Sequence, residues 1–135
     1  MVRPALALSA AVGSACAVAF GPPSAVNVAH AGPPPPCTFT LSAPQVVPSG
    51  DGSVVTATVS PDACGPPAEP VMSVACLQAA GVTTCAPHRG PGEAHISTPY
   101  VAGSTYTATG RGCGAWIGQL LAPDCQLLGP LTFTP

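Results

Sequence analysis

The sequence contains no lysine, and its three cations are Arg3, Arg89 and Arg111. Neutralising a phosphate backbone needs clustered Lys and Arg, so this scarcity excludes nucleic acid as a partner. Charged residues make up only 6% of the chain, against about 25% in ordinary soluble domains. Solubility must therefore come from Thr, Ser, Gly and the backbone, and so weakly charged a surface suits a cell wall or envelope. No C-x-x-C pair is present, which argues against a zinc site, and no metal or other cofactor is expected. There is no Gly-x-Ser-x-Gly elbow and no informative pair of carboxylates, which argues against a hydrolase. No segment sustains a 3.6-residue apolar period, and prolines interrupt most windows, so helices should be few.

What is present begins with a leader. Arg3 precedes an apolar run from Pro4 to Phe20 that Gly21-Pro22-Pro23 ends, and Ala29-His30-Ala31 gives the small-x-small pattern of a cleavage site. Residues 1–31 read as an export signal cut after Ala31, leaving no membrane attachment. At seventeen residues the run is short for a spanning helix. The rest is one domain of roughly 100 residues: a stiff proline arm over residues 32–36, then a folded body over residues 37–135. Beyond the leader, Arg89 and Arg111 face five acids, Asp51, Asp62, Glu69, Glu93 and Asp124. Six cysteines remain there, Cys37, Cys64, Cys76, Cys85, Cys113 and Cys125. An even number in a short exported chain implies three disulfides, which leaves no free thiol for catalysis.

The segment Gly103–Cys113 is the clearest strand. Tyr106 and Ala108 point one way while Thr105, Thr107 and Thr109 point the other. Ser53–Ser60 repeats the pattern, with Val55, Ala57 and Val59 on the inner face. Cys37–Ser42 places Phe39 and Leu41 inward, Pro70–Leu77 places Met72, Val74 and Cys76 inward, and Leu128–Thr134 places Leu131 and Phe133 inward. Val82–Cys85 and Glu93–Tyr100 are further strands, the second carrying Ile96. Ser49-Gly-Asp-Gly52 and Ala79-Ala-Gly81 are turns, whereas Pro61–Pro67, Pro87–Gly92 and Gly112–Asp124 read as loops or irregular chain. About seven short strands separated by turn signals predict an all-β, antiparallel sandwich stapled by disulfides.

Gly103–Ala108 resembles the penultimate strand of immunoglobulin-like domains, in which a tyrosine anchors a corner, and Tyr106 is the matching residue. The cysteine that usually follows two places later is replaced by Ala108. The resemblance implies an up-and-down strand order that brings Cys37, Cys64, Cys113 and Cys125 to one pole. Of fifteen possible connectivities it favours Cys37–Cys64, Cys113–Cys125 and, clipping a hairpin at the other pole, Cys76–Cys85. On the chain-entropy model these loops contribute about 3.6, 2.9 and 2.7 kcal/mol.

Three constellations carry functional expectations. Glu93 and His95 share a strand face near His88, too few donors for a closed metal site. The segment Cys85–Gly92, proline-rich and next to a bridge, has the form of a protease-inhibitor loop presenting Arg89 to a trypsin-like pocket. Exported actinobacterial inhibitors have similar length and cysteine density. Ser49–Thr56 and the pair Cys76 and Cys85 around Gly81 are similar to neocarzinostatin-type apoproteins, exported sandwiches that hold a small apolar ligand. That likeness implies a ligand cleft near Cys76, Leu77 and Cys85 with Trp116 as its aromatic wall. The expected function is a secreted, non-catalytic binding or structural module at the envelope or outside the cell. Its partner would be a protein, a wall component or a small apolar molecule.

Overall fold

A computed structural model describes residues 33–135, so the leader expected over residues 1–31 lies outside them. The described chain is all-β. Its eight strands are β1 (Cys37–Leu41), β2 (Gln45–Ser49), β3 (Gly52–Cys64), β4 (Ala68–Ala79), β5 (Val82–Arg89), β6 (Ala94–Pro99), β7 (Tyr106–Trp116) and β8 (Asp124–Phe133). They form two antiparallel sheets. In the first, β3 pairs with β1 and β2 on one side and β6 on the other. The second runs in the order β5-β4-β7-β8. The count exceeds the expected seven because the chain beyond Pro44 forms a further strand, β2, paired with β3. Between β1 and β2 the Ser42 N–H donates to the Thr58 carbonyl at 2.9 Å, and the Ser42 hydroxyl accepts from the Thr58 N–H at 2.9 Å.

The faces follow from the alternation of side chains along each strand. Val55, Ala57 and Val59 of β3 are completely buried, as are Tyr106 and Ala108 of β7, and Ile96 of β6 joins them in the core. Phe39 is buried and Leu41 packs against the core, as expected from their spacing. Leu131, expected inside, is substantially exposed, and Leu128 packs inward in its place across the register shift in β8. The turn Ala80-Gly81 has two consecutive positive φ values, 49° and 77°, which suits the two-residue hairpin between β4 and β5.

Proline does not end strands where the sequence suggested. Pro61 lies within β3, opposite Phe39. The ladder between β3 and β6 ends at Val59, so past that point β3 has a neighbour on one side only. The missing N–H of Pro61 can face the open side without costing a ladder bond. Pro87 is likewise tolerated because β5 is an edge strand, which turns the expected loop at His88 and Arg89 into paired strand. The irregular stretch expected from Gly112 begins only after Trp116.

All three disulfides have the expected partners, Cys37–Cys64, Cys76–Cys85 and Cys113–Cys125. Each joins residues directly opposite one another on neighbouring strands of a single sheet. Three intramolecular bridges are typical of extracellular proteins. Between the sheets, Gly110, Gly112 and Gly114 face inward from β7. A Cβ on them would overlap Val59, the Phe39 ring and the Cys37 sulfur respectively. This stripe lets the first sheet approach closely where Phe39 and the Cys37–Cys64 bridge fill the gap. The proline arm lies against the same end. Its Pro36 carbonyl accepts the Gly65 N–H at 3.0 Å, and its Pro33 carbonyl accepts the Trp116 indole N–H at 3.1 Å.

Candidate functional site

The two outer faces of the sandwich differ in chemistry. On the first sheet the outer face carries Thr38, Thr56, Thr58, Ser60, Glu93 and His95, several of them paired. The Ser60 hydroxyl donates to Glu93 Oε2 at 2.9 Å, and Thr58 Oγ1 lies 3.0 Å from His95 Nδ1. On the second sheet the outer face is largely apolar, and the register shows why. Strand β4 places Ser73, Ala75 and Leu77 inside, all completely or almost completely buried. That puts Met72, Val74 and Cys76 outside, the reverse of the orientation expected from their hydrophobicity. The cause is the glycine stripe: Gly112 and Gly110 stand opposite Ser73 and Ala75, and side chains from the first sheet fill the space above them. Only small residues fit inward there, so the larger apolar set of β4 is turned out.

Ladder pairing arranges that outer face in rows. One row reads Cys85, Cys76 and Thr109; the next Pro87, Val74, Arg111 and Leu127; the third Arg89, Met72, Cys113 and Cys125. Over β4, β7 and β8 the face is hollowed into a pocket of about 440 Å³. Its apolar wall comes from Val74, Cys76, Leu127 and Pro130, and Arg111 is the one charged residue lining it. That volume falls in the range of small-molecule sites, about 300–1,000 Å³. Leu127 is 81% exposed, a large unsupported apolar side chain at the rim.

Of the residues expected to form a ligand cleft, Cys76 lines this pocket and three do not. Leu77 is excluded because alternation sends it into the core, where it is 2% exposed. Cys85, though bonded to Cys76, stands on the edge strand beyond the lining. Trp116 lies seven residues along β7 from Thr109, roughly 20 Å at the rise of a strand. Its indole is committed to the Pro33 carbonyl, so it walls nothing near Cys76. Arg89 is the last residue of β5, held in the ladder opposite Met72. Beyond it the chain turns through Gly90–Glu93, with the Gly90 N–H donating to the Val71 carbonyl at 2.9 Å, so Arg89 stands in paired strand and not in the expected loop. Glu93 and His95 do share the outer face of the first sheet, whereas His88 belongs to the second and sits against Gly92. Among the described residues no three potential ligands converge on a metal position.

Sequence reasoning missed Arg111, Leu127 and Pro130. A signal for them existed in β4: an alternating strand whose smaller set (Ser73, Ala75) and larger set (Met72, Val74, Cys76) are both largely apolar has two faces to cover. No family model, curated protein or solved structure matches the chain.

Proposed function

We propose that this chain is an exported, non-catalytic binding module of immunoglobulin-like build, acting at the cell envelope or outside the cell. Its ligand is a small apolar molecule held on the outer face of the β5-β4-β7-β8 sheet. The observation that carries this reading is the reversed β4, which turns Met72, Val74 and Cys76 outward and sets Val74 and Cys76 on a hollow, solvent-facing surface. An apolar hollow of this volume with a polar group at its wall has the build of a small-molecule site. The immunoglobulin-like element rests on the strand order and on Tyr106. Its hydroxyl accepts the Val101 N–H at 2.7 Å and donates to the Pro99 carbonyl at 3.1 Å, the geometry of a tyrosine corner.

Binding is best tested with neutral phenylnaphthylamine, which fluoresces in apolar sites. Trp116 is a poor reporter because of its distance from the pocket. Saturable binding to the wild-type chain, weakened at least about tenfold by Leu127→Glu, is the expected result. Leu127 is exposed, so the substitution leaves the fold intact. Failure to bind this probe and a panel of other neutral apolar compounds overturns the reading, as does equal affinity for the variant.

A further inference from the structure

The pocket is lined by charge of one sign only, and we infer from this that its ligand is an amphipathic anion. The ligand class is an apolar body carrying a carboxylate, sulfonate or phosphate group. This rests on the reading above, that the outer face of the second sheet takes a small apolar molecule, and adds what its polar end must be.

Arg111 is exposed at the pocket, between Val74 of β4 and Leu127 of β8, its ladder partners. Neither neighbour can pair with a guanidinium, and Arg111 has no hydrogen-bond partner among the described residues. The acids are elsewhere. Asp51 lies in the turn between β2 and β3, Asp62 beside Thr38, and Glu93 against Ser60, all in the first sheet. Asp124 and Glu69 belong to the second sheet but stand opposite Gly114 and Ala115. Those positions are about 10 Å or more along β7 from Arg111. A chain with more acids than bases beyond its leader thus keeps its pocket free of them. Its other cation there, Arg89, is on the same outer face, opposite Met72.

A guanidinium without a partner among the described residues offers a planar donor fork that matches carboxylate, sulfonate or phosphate oxygens. Beside an apolar floor the attraction is screened less than in open water. Discrimination works in both directions. A neutral ligand covering the pocket strips water from Arg111 and returns no partner, which is costly. An anion returns one, so the same residue favours one class and penalises the other.

Two fluorescent probes separate this inference from the reading beneath it. Anilinonaphthalene sulfonate and phenylnaphthylamine share an aromatic body and differ by the sulfonate. The sulfonate is expected to bind the wild-type chain about tenfold more tightly at low salt, the order expected of a partly exposed charge-assisted hydrogen bond. Raising the salt should shrink that advantage. Arg111→Gln should bring the two probes to within about twofold of each other without weakening the neutral one, and Arg111→Lys should retain part of the preference. Circular dichroism and thermal melting of each variant establish that the fold is kept. Equal affinities for the wild-type chain, or a preference that survives Arg111→Gln, overturn the charge inference while the apolar site stands. Saturable binding of neither probe removes both.

Discussion

Tyr106 ties a corner with a single oxygen. It is completely buried, and its hydroxyl serves one backbone donor and one backbone acceptor in the connection between β6 and β7. Tyr106→Phe keeps the ring but orphans the Val101 N–H and the Pro99 carbonyl. A loss of about 1–3 kcal/mol is expected, read by chemical denaturation. Ser73 is the opposite case, since its Oγ is buried without a hydrogen-bond partner among the described residues. Ser73→Ala removes an unsatisfied group at almost constant volume, so stability should stay level or rise by up to about 1 kcal/mol on the same measurement. At Gly112 a methyl would enter the Phe39 ring. Gly112→Ala should cost about 1–3 kcal/mol, and pairing it with Phe39→Leu should recover part of that loss, a non-additivity that identifies contact between the two sheets. The inward face of Tyr106 was legible from the alternation of its strand, and its part in the corner came from the resemblance of Gly103–Ala108 to immunoglobulin-like domains. Gly112 was not legible, because a glycine's role there depends on what lies across the gap.

Strands declare their faces when the two sets of side chains differ in kind. In β3 the alternation of Val and Ala with Thr left one orientation, and Val55, Ala57 and Val59 are inside as read. In β4 both sets were mostly apolar, Ala75 and Leu77 against Met72, Val74 and Cys76, so hydrophobicity favoured the latter and the choice was wrong. The decisive quantity was the space left by Gly110 and Gly112 on a strand some forty residues later. The same non-locality explains the prolines: whether Pro61 or Pro87 breaks a ladder depends on whether a neighbour occupies that side, which is a property of the sheet. The pocket, built from β4, β7 and β8, was therefore legible only at Cys76. Edge position also sets how firmly β5 is held. Replacing both Cys76 and Cys85 by alanine removes the clip on a hairpin with one neighbour. It should cost about 2.7 kcal/mol. Hydrogen exchange should rise first in Val82–Arg89 while β3 and β7 stay protected, and uniform loss of protection would contradict this order.

For the whole molecule, the overall class was the easiest inference, since cysteine number, proline density and alternating strands all pointed to a stapled antiparallel sandwich. Their convergence also bounds stability. The bridges together contribute roughly 9 kcal/mol on the chain-entropy model, comparable with the 5–15 kcal/mol of a typical domain. Full reduction should therefore abolish a cooperative thermal transition, and a reduced chain that melts unchanged would show that packing alone suffices. None of the three bridges passes from one layer to the other. The sandwich is thus two riveted plates pressed together by side chains, with no rivet through both. Heat or urea can part the plates without breaking a covalent bond, and what drifts apart is a set of short looped ribbons rather than a free coil. An ensemble so restrained uncovers less new surface, which should appear as a shallower urea dependence than a bridge-free sandwich of equal length would give.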